Sequence, residues 1–184
     1  MLFALLLQIL LHIGSISCTR NTLPELNPLS PKSPVPENNL LGRASSPTPS
    51  LQLKGYVNII VDLSQFRSIS IPEGKRLNIN ILGGNWTNPD GSLLAKIIPN
   101  IGGEQGYIDA TNVFHLDVRY VVQFVSDNKY GYVQAKGPGK IGASNKVIQT
   151  VETDSTANLT FNNRLLYSPG IFSGNCLTAP IWAL

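Results

Sequence analysis

The sequence predicts an all-β protein, an antiparallel closed or nearly closed β-barrel of lipocalin-like size. The segment 113–125, VFHLDVRYVVQFV, alternates its side chains with a period of two, as a strand does. About seven or eight such short segments follow one another at the spacing typical of sandwiches and barrels. No segment of helical length shows a convincing helical period. We favour a barrel because closure removes the exposed edge strands.

The first fifty residues are predicted to precede the folded domain. Residues 1–17, MLFALLLQILLHIGSIS, form an apolar stretch that ends in small residues, as a signal peptide does, and this stretch is too short to span a bilayer. Residues 18–50 contain seven of the chain's 13 prolines, which prevent a hydrogen-bonded ladder. We therefore expect a secreted protein with a Pro/Ser-rich, disordered leader and no stable membrane insertion.

The barrel domain is predicted to cover residues 51–167. Its strand segments include 56–63, 76–82, 92–98, 113–125, 129–136, 146–152 and 158–167. Gly83-Gly84, the segment 88–91 and Gly137-Pro138-Gly139 are turn signals, and Trp86 is expected in a turn. Gly102-Gly103 indicates a bulge or a close backbone approach just before the central strand.

Composition excludes one class of partner. Charged residues are 14% of the chain, against about a quarter in typical soluble domains. The net charge is +3, and the Lys and Arg residues are dispersed rather than clustered. Because nucleic-acid binding needs a clustered basic face, we expect no nucleic-acid partner.

An ordered series of blocks carries a family resemblance. These blocks are GGNWTNPDGSLLAKIIPNIGGE, FHLDVRYVVQ, KYGYVQAKGPG, VETD and FNNRLLY. Together they resemble the DUF3237 family, of unknown function, in its fungal, secreted form. The resemblance covers roughly residues 51–167 and implies a small closed β-barrel. Its closest block is Asp117, Arg119 and Tyr120, and the resemblance adds Glu152 and Asn163 as companions of that block.

Residues 168–184 depart from the family pattern. The segment SPGIFSGNCLTAPIWAL is broken by Gly and Pro and alternates poorly. We interpret it as an atypical C-terminal tail, divergent or truncated, and we expect it to leave the barrel with an open edge.

The polar face of the central strand carries the candidate chemistry. His115, Asp117 and Arg119 share this face, with neighbours roughly 6.5–7 Å apart. If the face lines the lumen, a carboxylate (Asp117 or Glu152) or His115 could act as a general base while Arg119 stabilises negative charge. The alternative is an ion pair that fixes strand register and has no catalytic role.

Aromatic and amide side chains are the candidate ligand contacts. Tyr130 and Tyr132 share one strand face, and with Trp86 and Asn163 they could bind an aromatic ligand. Alternatively, these aromatic side chains pack against the protein itself and bind no ligand. The sequence indicates neither a metal site nor a cofactor site, because one mature His and two Cys offer no zinc spacing.

Secretion would permit two covalent modifications. Asn85-Trp86-Thr87 and Asn158-Leu159-Thr160 are glycosylation acceptors, and Asn85 is expected in a turn. Cys18 and Cys176 could form a disulfide if the signal is cleaved after Ser17, whereas later cleavage would remove Cys18.

Three functions are compatible with these patterns. The first is a secreted barrel that binds a small apolar or aromatic molecule. The second is an isomerase or cyclase that uses a carboxylate–Arg cluster in the lumen. The third is a non-catalytic cell-surface or host-interaction protein, with the polar face turned to solvent.

Overall fold

The computed structural model describes residues 50–141 and 143–184, and within them strands dominate. The strands are β1 (Gln52–Val61), β2 (Arg67–Ile71), β3 (Gly74–Thr87), β4 (Leu93–Glu104), β5 (Tyr107–Asp109), β6 (Phe114–Phe124), β7 (Tyr130–Gly139), β8 (Ser144–Thr153), β9 (Leu166–Ser173) and β10 (Cys176–Ala183). One 3₁₀ helix, Leu159–Asn163, follows β8. The predicted all-β fold is confirmed. In the described part of the chain, no helix is long and apolar enough to cross a membrane.

Eight antiparallel strands close into a barrel, in the order β1, β10, β9, β8, β7, β6, β4, β3 and back to β1. The closing pair runs from Tyr56 opposite Thr87 to Val61 opposite Ile81. Strands β2 and β5 lie off this ring: β2 pairs with β3, and β5 bridges β3 and β6. The predicted closed barrel is therefore confirmed.

The C-terminal residues complete the barrel, so the expectation of an open edge is wrong. Residues 168–173 belong to β9, and β10 pairs with β1 from Gln52 opposite Ala183 to Ile60 opposite Cys176. The buried positions of β9 include Ser168 and Gly170, which are not apolar side chains, and burial does not alternate along β10. These irregularities hid two strands from a test of periodicity.

Several predicted turns are continuous strand. Gly83 and Gly84 lie within β3, and Gly137-Pro138-Gly139 ends β7 without interrupting it. A side chain at Gly84 would meet the Asn58 carbonyl oxygen at 2.1 Å. This glycine therefore permits the close approach of β1 to β3 and does not form a turn.

The apolar face of the central strand lies inside the barrel. Burial alternates strictly along β6, and the buried members are Phe114, Leu116, Val118, Tyr120, Val122 and Phe124. Side chains fill the interior of this eight-stranded barrel, and the apolar face of β6 lies there because its burial removes apolar surface from water. The polar face, with His115, Asp117 and Arg119, is half-buried on the outer surface of the sheet. The expectation that His115, Asp117 and Arg119 line the lumen is therefore wrong.

A glycine bulge in β4 makes room for β5. The pairing of β4 with β6 shifts between Ile97 and Gly102, as the sequence predicted. Gly102 has φ 103°, and a Cβ there would lie 2.0 Å from the Arg119 carbonyl oxygen. Only glycine fits this approach without strain. Beyond Glu104 the chain continues into β5, which places Tyr107 between β3 and β6.

Candidate functional site

A row of side chains crosses four strands on the outer surface. Arg76 of β3 lies opposite Tyr107 of β5, Tyr107 lies opposite His115 of β6, and His115 lies opposite Pro138 of β7. Directly opposite residues have Cβ atoms about 5 Å apart and share a face. The row therefore forms one continuous surface, although its members come from four separate segments of the chain.

Three members of this row are stacked. The rings of Tyr107 and His115 are nearly parallel, with centroids 4.5 Å apart and planes inclined by 10°. The guanidinium carbon of Arg76 lies 5.6 Å from the centroid of the Tyr107 ring. Arg76 Nη1 also donates to the Gln105 carbonyl oxygen at 2.8 Å, which fixes the orientation of the guanidinium. The stack is thus held by ring contacts, a cation–π contact and a hydrogen bond.

Asp109, at the end of β5, orients the His115 ring. Its Oδ1 accepts hydrogen bonds from Thr111 N at 2.8 Å, Thr111 Oγ1 at 2.7 Å and Val113 N at 3.0 Å. Its Oδ2 lies 2.7 Å from His115 Nε2. The hydrogen bond with His115, followed by those with Thr111 and Val113, holds the pKa of the Asp109 carboxyl well below its ordinary value. A charged Asp109 needs a donor, so Nε2 carries the proton and Nδ1 is left for another contact.

A second row lies beside the first. Asp117 of β6 is opposite Lys136 of β7. Asp117 Oδ2 lies 3.2 Å from Arg119 Nη2 and 3.8 Å from Lys136 Nζ. Asp117 therefore belongs to an ion-pair cluster on the outer surface, which matches the register-fixing alternative considered from the sequence.

The two rows border a groove of about 380 Å³, here called the outer groove. Its lining residues are Arg76, Gly106, Tyr107, His115, Leu116, Asp117, Lys136, Gly137 and Pro138. Pockets of a few hundred cubic ångströms accommodate small organic molecules. The outer groove is therefore large enough for a ligand of that class, and it brings a stacked ring surface together with charged groups.

A buried carboxyl group lies next to the backbone of this groove. Glu104 is only 6% exposed, and its Oε1 accepts hydrogen bonds from Gly106 N at 2.6 Å and Asp117 N at 3.0 Å. Burial raises the pKa of Glu104 to about 7, and the negative charge of Asp117 adds to that shift. Glu104 thus joins the end of β4, the start of β5 and the middle of β6, and it titrates near neutrality.

The lumen is nearly filled by side chains. A cavity of about 20 Å³ remains, lined mainly by apolar residues together with Tyr120, Asn145, Gln149 and Ser168. Trp86 Nε1 donates to Tyr120 Oη at 3.2 Å, Tyr120 Oη donates to Gln149 Oε1 at 3.4 Å, and Gln149 Nε2 donates to Ser168 Oγ. Burial raises the pKa of the Tyr120 phenol above its ordinary value. This space suffices for about one water molecule.

The structure brings together only part of the predicted site. His115, Asp117 and Arg119 share the outer face of β6, but Glu152 does not join them. Glu152 lies opposite Tyr132, whose other cross-strand partner is Val121, and is therefore further along the barrel surface than Arg119.

The predicted aromatic and amide contacts are scattered. Tyr130 and Tyr132 are exposed on β7, and Asn163 is exposed at the end of the 3₁₀ helix. Trp86 lies in β3 and not in a turn. It is fully buried, with edge-to-face contacts to Tyr120 and Phe161. Its position indicates core packing.

The predicted modification sites differ in their surroundings. Asn85 lies within β3, half-buried, opposite Asn58 and Lys96, so its expected position in a turn is wrong. Asn158 is 7% exposed, and its Nδ2 donates to Ser126 Oγ at 3.1 Å and Ser155 Oγ at 2.8 Å. Cys176 is buried at the start of β10, and its predicted partner Cys18 lies outside the described residues, as does the predicted signal peptide.

The sequence of residues 49–164, more than half of the chain, matches a family described as "Protein of unknown function (DUF3237)". The chain belongs to the DUF3237 family. The resemblance noted on the Asp117-x-Arg119-Tyr120 block is thereby confirmed. No functionally curated protein matches the sequence.

Solved structures share the DUF3237 barrel at low sequence identity. A protein of unknown function from Clostridium acetobutylicum aligns with a TM-score of 0.64 and 16% identity, over 73% of this chain and 99% of that one. A β-barrel-like protein from Acinetobacter baumannii aligns with a TM-score of 0.60 and 20% identity, over 74% of this chain and 97% of that one. An enzyme from Penicillium herquei aligns with a TM-score of 0.55 and 19% identity, over 77% of this chain and 99% of that one. At this identity the comparison shows a shared fold.

Proposed function

We propose that this DUF3237 protein binds a small molecule with a flat ring in the outer groove. The observation that carries the proposal is the stack of Arg76, Tyr107 and His115 at the border of a 380 Å³ groove. Preformed pockets that combine ring surfaces with a few fixed polar groups are the usual setting for small ligands. The stack is preformed because Asp109 and the Gln105 carbonyl oxygen hold its outer members.

The groove supports this function better than the lumen does. The sequence predicted an apolar or aromatic ligand inside the barrel, but the interior leaves about 20 Å³. An aromatic ligand there would have to displace core side chains such as Leu116 or Val118, which are buried. Each large side chain that leaves a well-packed core costs several kcal/mol of folding free energy. The outer groove needs no such rearrangement.

A second candidate function, an acid–base enzyme of the isomerase or cyclase kind, is favoured by one observation. The Asp109 carboxylate contacts His115 Nε2, so a neutral His115 would present Nδ1 as a base to a substrate in the groove. In such a reaction Nδ1 takes a proton from the substrate and returns it to another atom, while Arg76 or Lys136 stabilises the negative charge that develops between the two steps. The neighbour from Penicillium herquei is described as an enzyme, which supports this candidate.

We also propose that the chain is secreted. The support is the apolar stretch in residues 1–17, followed by small residues, and the low content of charged side chains. Of the two glycosylation motifs, Asn85 suits a glycan better, because Asn158 Nδ2 is already engaged in two buried hydrogen bonds. Treating the secreted protein and its Asn85→Gln variant with an N-glycosidase would test both points by the change in mass.

A fragment screen by ligand-observed NMR tests the binding proposal. We expect flat aromatic probes to bind the native protein and to lose about fivefold in affinity with Tyr107→Ala or His115→Ala, since ring contacts of this kind contribute about 1 kcal/mol. The matched control is Tyr132→Ala, which removes an exposed tyrosine of β7 outside the groove and should leave binding unchanged. Equal loss in all three variants, or no binding at all, would contradict the proposal and favour a non-catalytic surface role.

Turnover separates binding from catalysis. Asp109→Asn keeps the size of the side chain but removes its charge, so a merely bound ligand should be retained. If the groove is catalytic, any turnover found with the native protein should fall at least tenfold in this variant while affinity changes little. Unchanged turnover in Asp109→Asn and His115→Ala proteins would exclude these residues from catalysis.

A further inference from the structure

The charges around the outer groove do not balance. Among its lining residues Arg76 and Lys136 are cationic and Asp117 is anionic. Asp117 is already paired with a third cation, since its Oδ2 lies closer to Arg119 than to Lys136. Asp109, charged beside His115 Nε2, is the second carboxylate near the groove. Three cations, Arg76, Arg119 and Lys136, therefore face two carboxylates, and positive charge remains at the groove.

Arg76 retains donors for a ligand. A guanidinium group carries five N–H donors, and the Gln105 carbonyl oxygen accepts from Nη1. Its central carbon lies 5.6 Å from the centroid of the Tyr107 ring, at the border of the groove, so the other N–H groups are within reach of a ligand bound there. Planar groups of this kind bind carboxylates through two parallel hydrogen bonds.

Lys136 is held loosely by its anionic neighbour. Its Nζ lies 3.8 Å from Asp117 Oδ2, beyond hydrogen-bond distance, and its side chain is 59% exposed. An ammonium group has three donors and a long flexible stem. Exchange of this weak ion pair for a direct hydrogen bond with a carboxylate in the groove would cost little, because exposed ion pairs contribute about 1 kcal/mol or less.

We infer that the outer groove selects aromatic ligands that carry a carboxylate group, with the ring held by the Tyr107–His115 stack and the charge met by Lys136 and Arg76. The inference rests on the proposed binding function and adds the chemical class of the ligand to it. The groove thus offers cationic donors on both sides of the stacked rings.

A pair of probes that differ only in charge tests this inference: 2-naphthoate and the neutral 2-naphthamide. We expect the native protein to bind 2-naphthoate about tenfold more tightly, with a preference that weakens as salt is raised from about 0.02 to 0.5 M. Lys136→Met should reduce the preference severalfold, and Arg76→Met should do the same. The matched control is Lys96→Met, which removes the same charge from an exposed position of β4 opposite Gln123, at the other end of β6 from His115.

The outcomes distinguish the inference from the function on which it rests. If both probes bind equally well and Tyr107→Ala weakens both, the groove binds rings but the carboxylate selectivity is wrong. If the preference for 2-naphthoate persists in both the Lys136→Met and Arg76→Met proteins, or falls equally in Lys96→Met, the assigned cations are wrong. If neither probe binds, the binding function fails together with the inference. Circular dichroism of each variant confirms that it is folded.

Discussion

The Asp109 Oδ2 atom lies 2.7 Å from His115 Nε2, across the short connection between β5 and β6. The other oxygen of Asp109 closes that connection by accepting hydrogen bonds from Thr111 and Val113. One carboxylate therefore fixes both the backbone of the loop and the orientation of the histidine ring. Since the ring stacks on Tyr107, the geometry of the outer groove depends on Asp109, although Asp109 does not line it.

Replacing Asp109 by alanine should disturb the groove more than it disturbs the barrel. We expect the ring signals of His115 and Tyr107 to shift and broaden in NMR spectra, because their stack loses its orienting partner. The pKa of Asp109 is lowered in the folded state, so its stabilising effect is present at neutral pH and is lost as pH falls through the folded pKa. The native protein should thus be more stable than the Asp109→Ala protein at neutral pH, and this difference should shrink in strong acid.

Asp90→Ala is the control for that prediction. Asp90 also accepts hydrogen bonds from the backbone and side chain of a residue two positions later, Ser92, but it lies in the loop between β3 and β4. Its loss should leave the His115 and Tyr107 signals unchanged. Identical spectra for native and Asp109→Ala proteins would show that Asp109 does not orient the histidine.

Glu104 is expected to make stability depend on pH near neutrality. Its pKa is raised from 4.5 to about 7 by burial, so the folded state binds a proton more tightly than the unfolded state. The resulting stabilisation is complete below pH 4.5 and is lost as pH rises through 7. Urea unfolding should show the native protein losing roughly 2–3 kcal/mol relative to Glu104→Gln between pH 5 and pH 8.

The glutamine variant is a fair comparison because its carbonyl oxygen can still accept from Gly106 N and Asp117 N. Glu152→Gln, at an exposed position of β8, is the control and should show no such pH-dependent difference from the native protein. Parallel stability curves for native and Glu104→Gln proteins over this pH range would mean that Glu104 titrates normally.

Tyr120 should contribute to stability through its hydroxyl group. Tyr120→Phe leaves the ring in place but removes the acceptor of the Trp86 Nε1–H and the donor to Gln149. Because both partners are buried, the unpaired groups should cost about 1–3 kcal/mol in urea unfolding. Tyr132→Phe, at an exposed position, should change stability by less than about 0.5 kcal/mol. Equal stabilities of the two variants would contradict a structural role for the hydrogen bonds that join Trp86, Tyr120 and Gln149.

More of the fold than of the candidate site could be predicted from the sequence. Alternation along 113–125 defined both faces of β6, and the number of short strands indicated a barrel. Alternation is symmetric, however, and does not say which face is inside. The cost of burying charged groups decides this, because a filled interior accommodates the apolar face and leaves His115, Asp117 and Arg119 outside.

The missed site residues come from local features without a periodic signal. Strand β5 has three residues, too few for alternation to indicate Tyr107 or Asp109. Glu104 follows Gly102-Gly103, which predicted a bulge or a close backbone approach but gave no signal that the next side chain is a buried carboxyl. Arg76 joins the row only through strand register, which depends on the whole sheet.

A side chain at position 170 should destabilise the barrel, because Asn145 occupies the space beside Gly170. The two residues lie near each other in the lumen, where a Cβ at Gly170 would be 2.6 Å from Asn145 Oδ1 and 2.8 Å from Leu177 Cδ1. Gly170→Ala should therefore cost about 1–3 kcal/mol by overpacking. Asn145→Ala removes the obstructing oxygen, so the double variant should be more stable than the sum of the single losses predicts, by at least about 0.5 kcal/mol.

Urea unfolding of the four proteins measures this coupling, and a second cycle provides its control. A Cβ at Gly131 would contact Phe124 and Val122 and not Asn145, so Gly131→Ala and Asn145→Ala should be additive. If the Gly170 cycle is additive as well, the lumen has more freedom to rearrange than its close packing indicates. A cavity of about 20 Å³ could then expand, which would favour a ligand in the lumen over one in the outer groove.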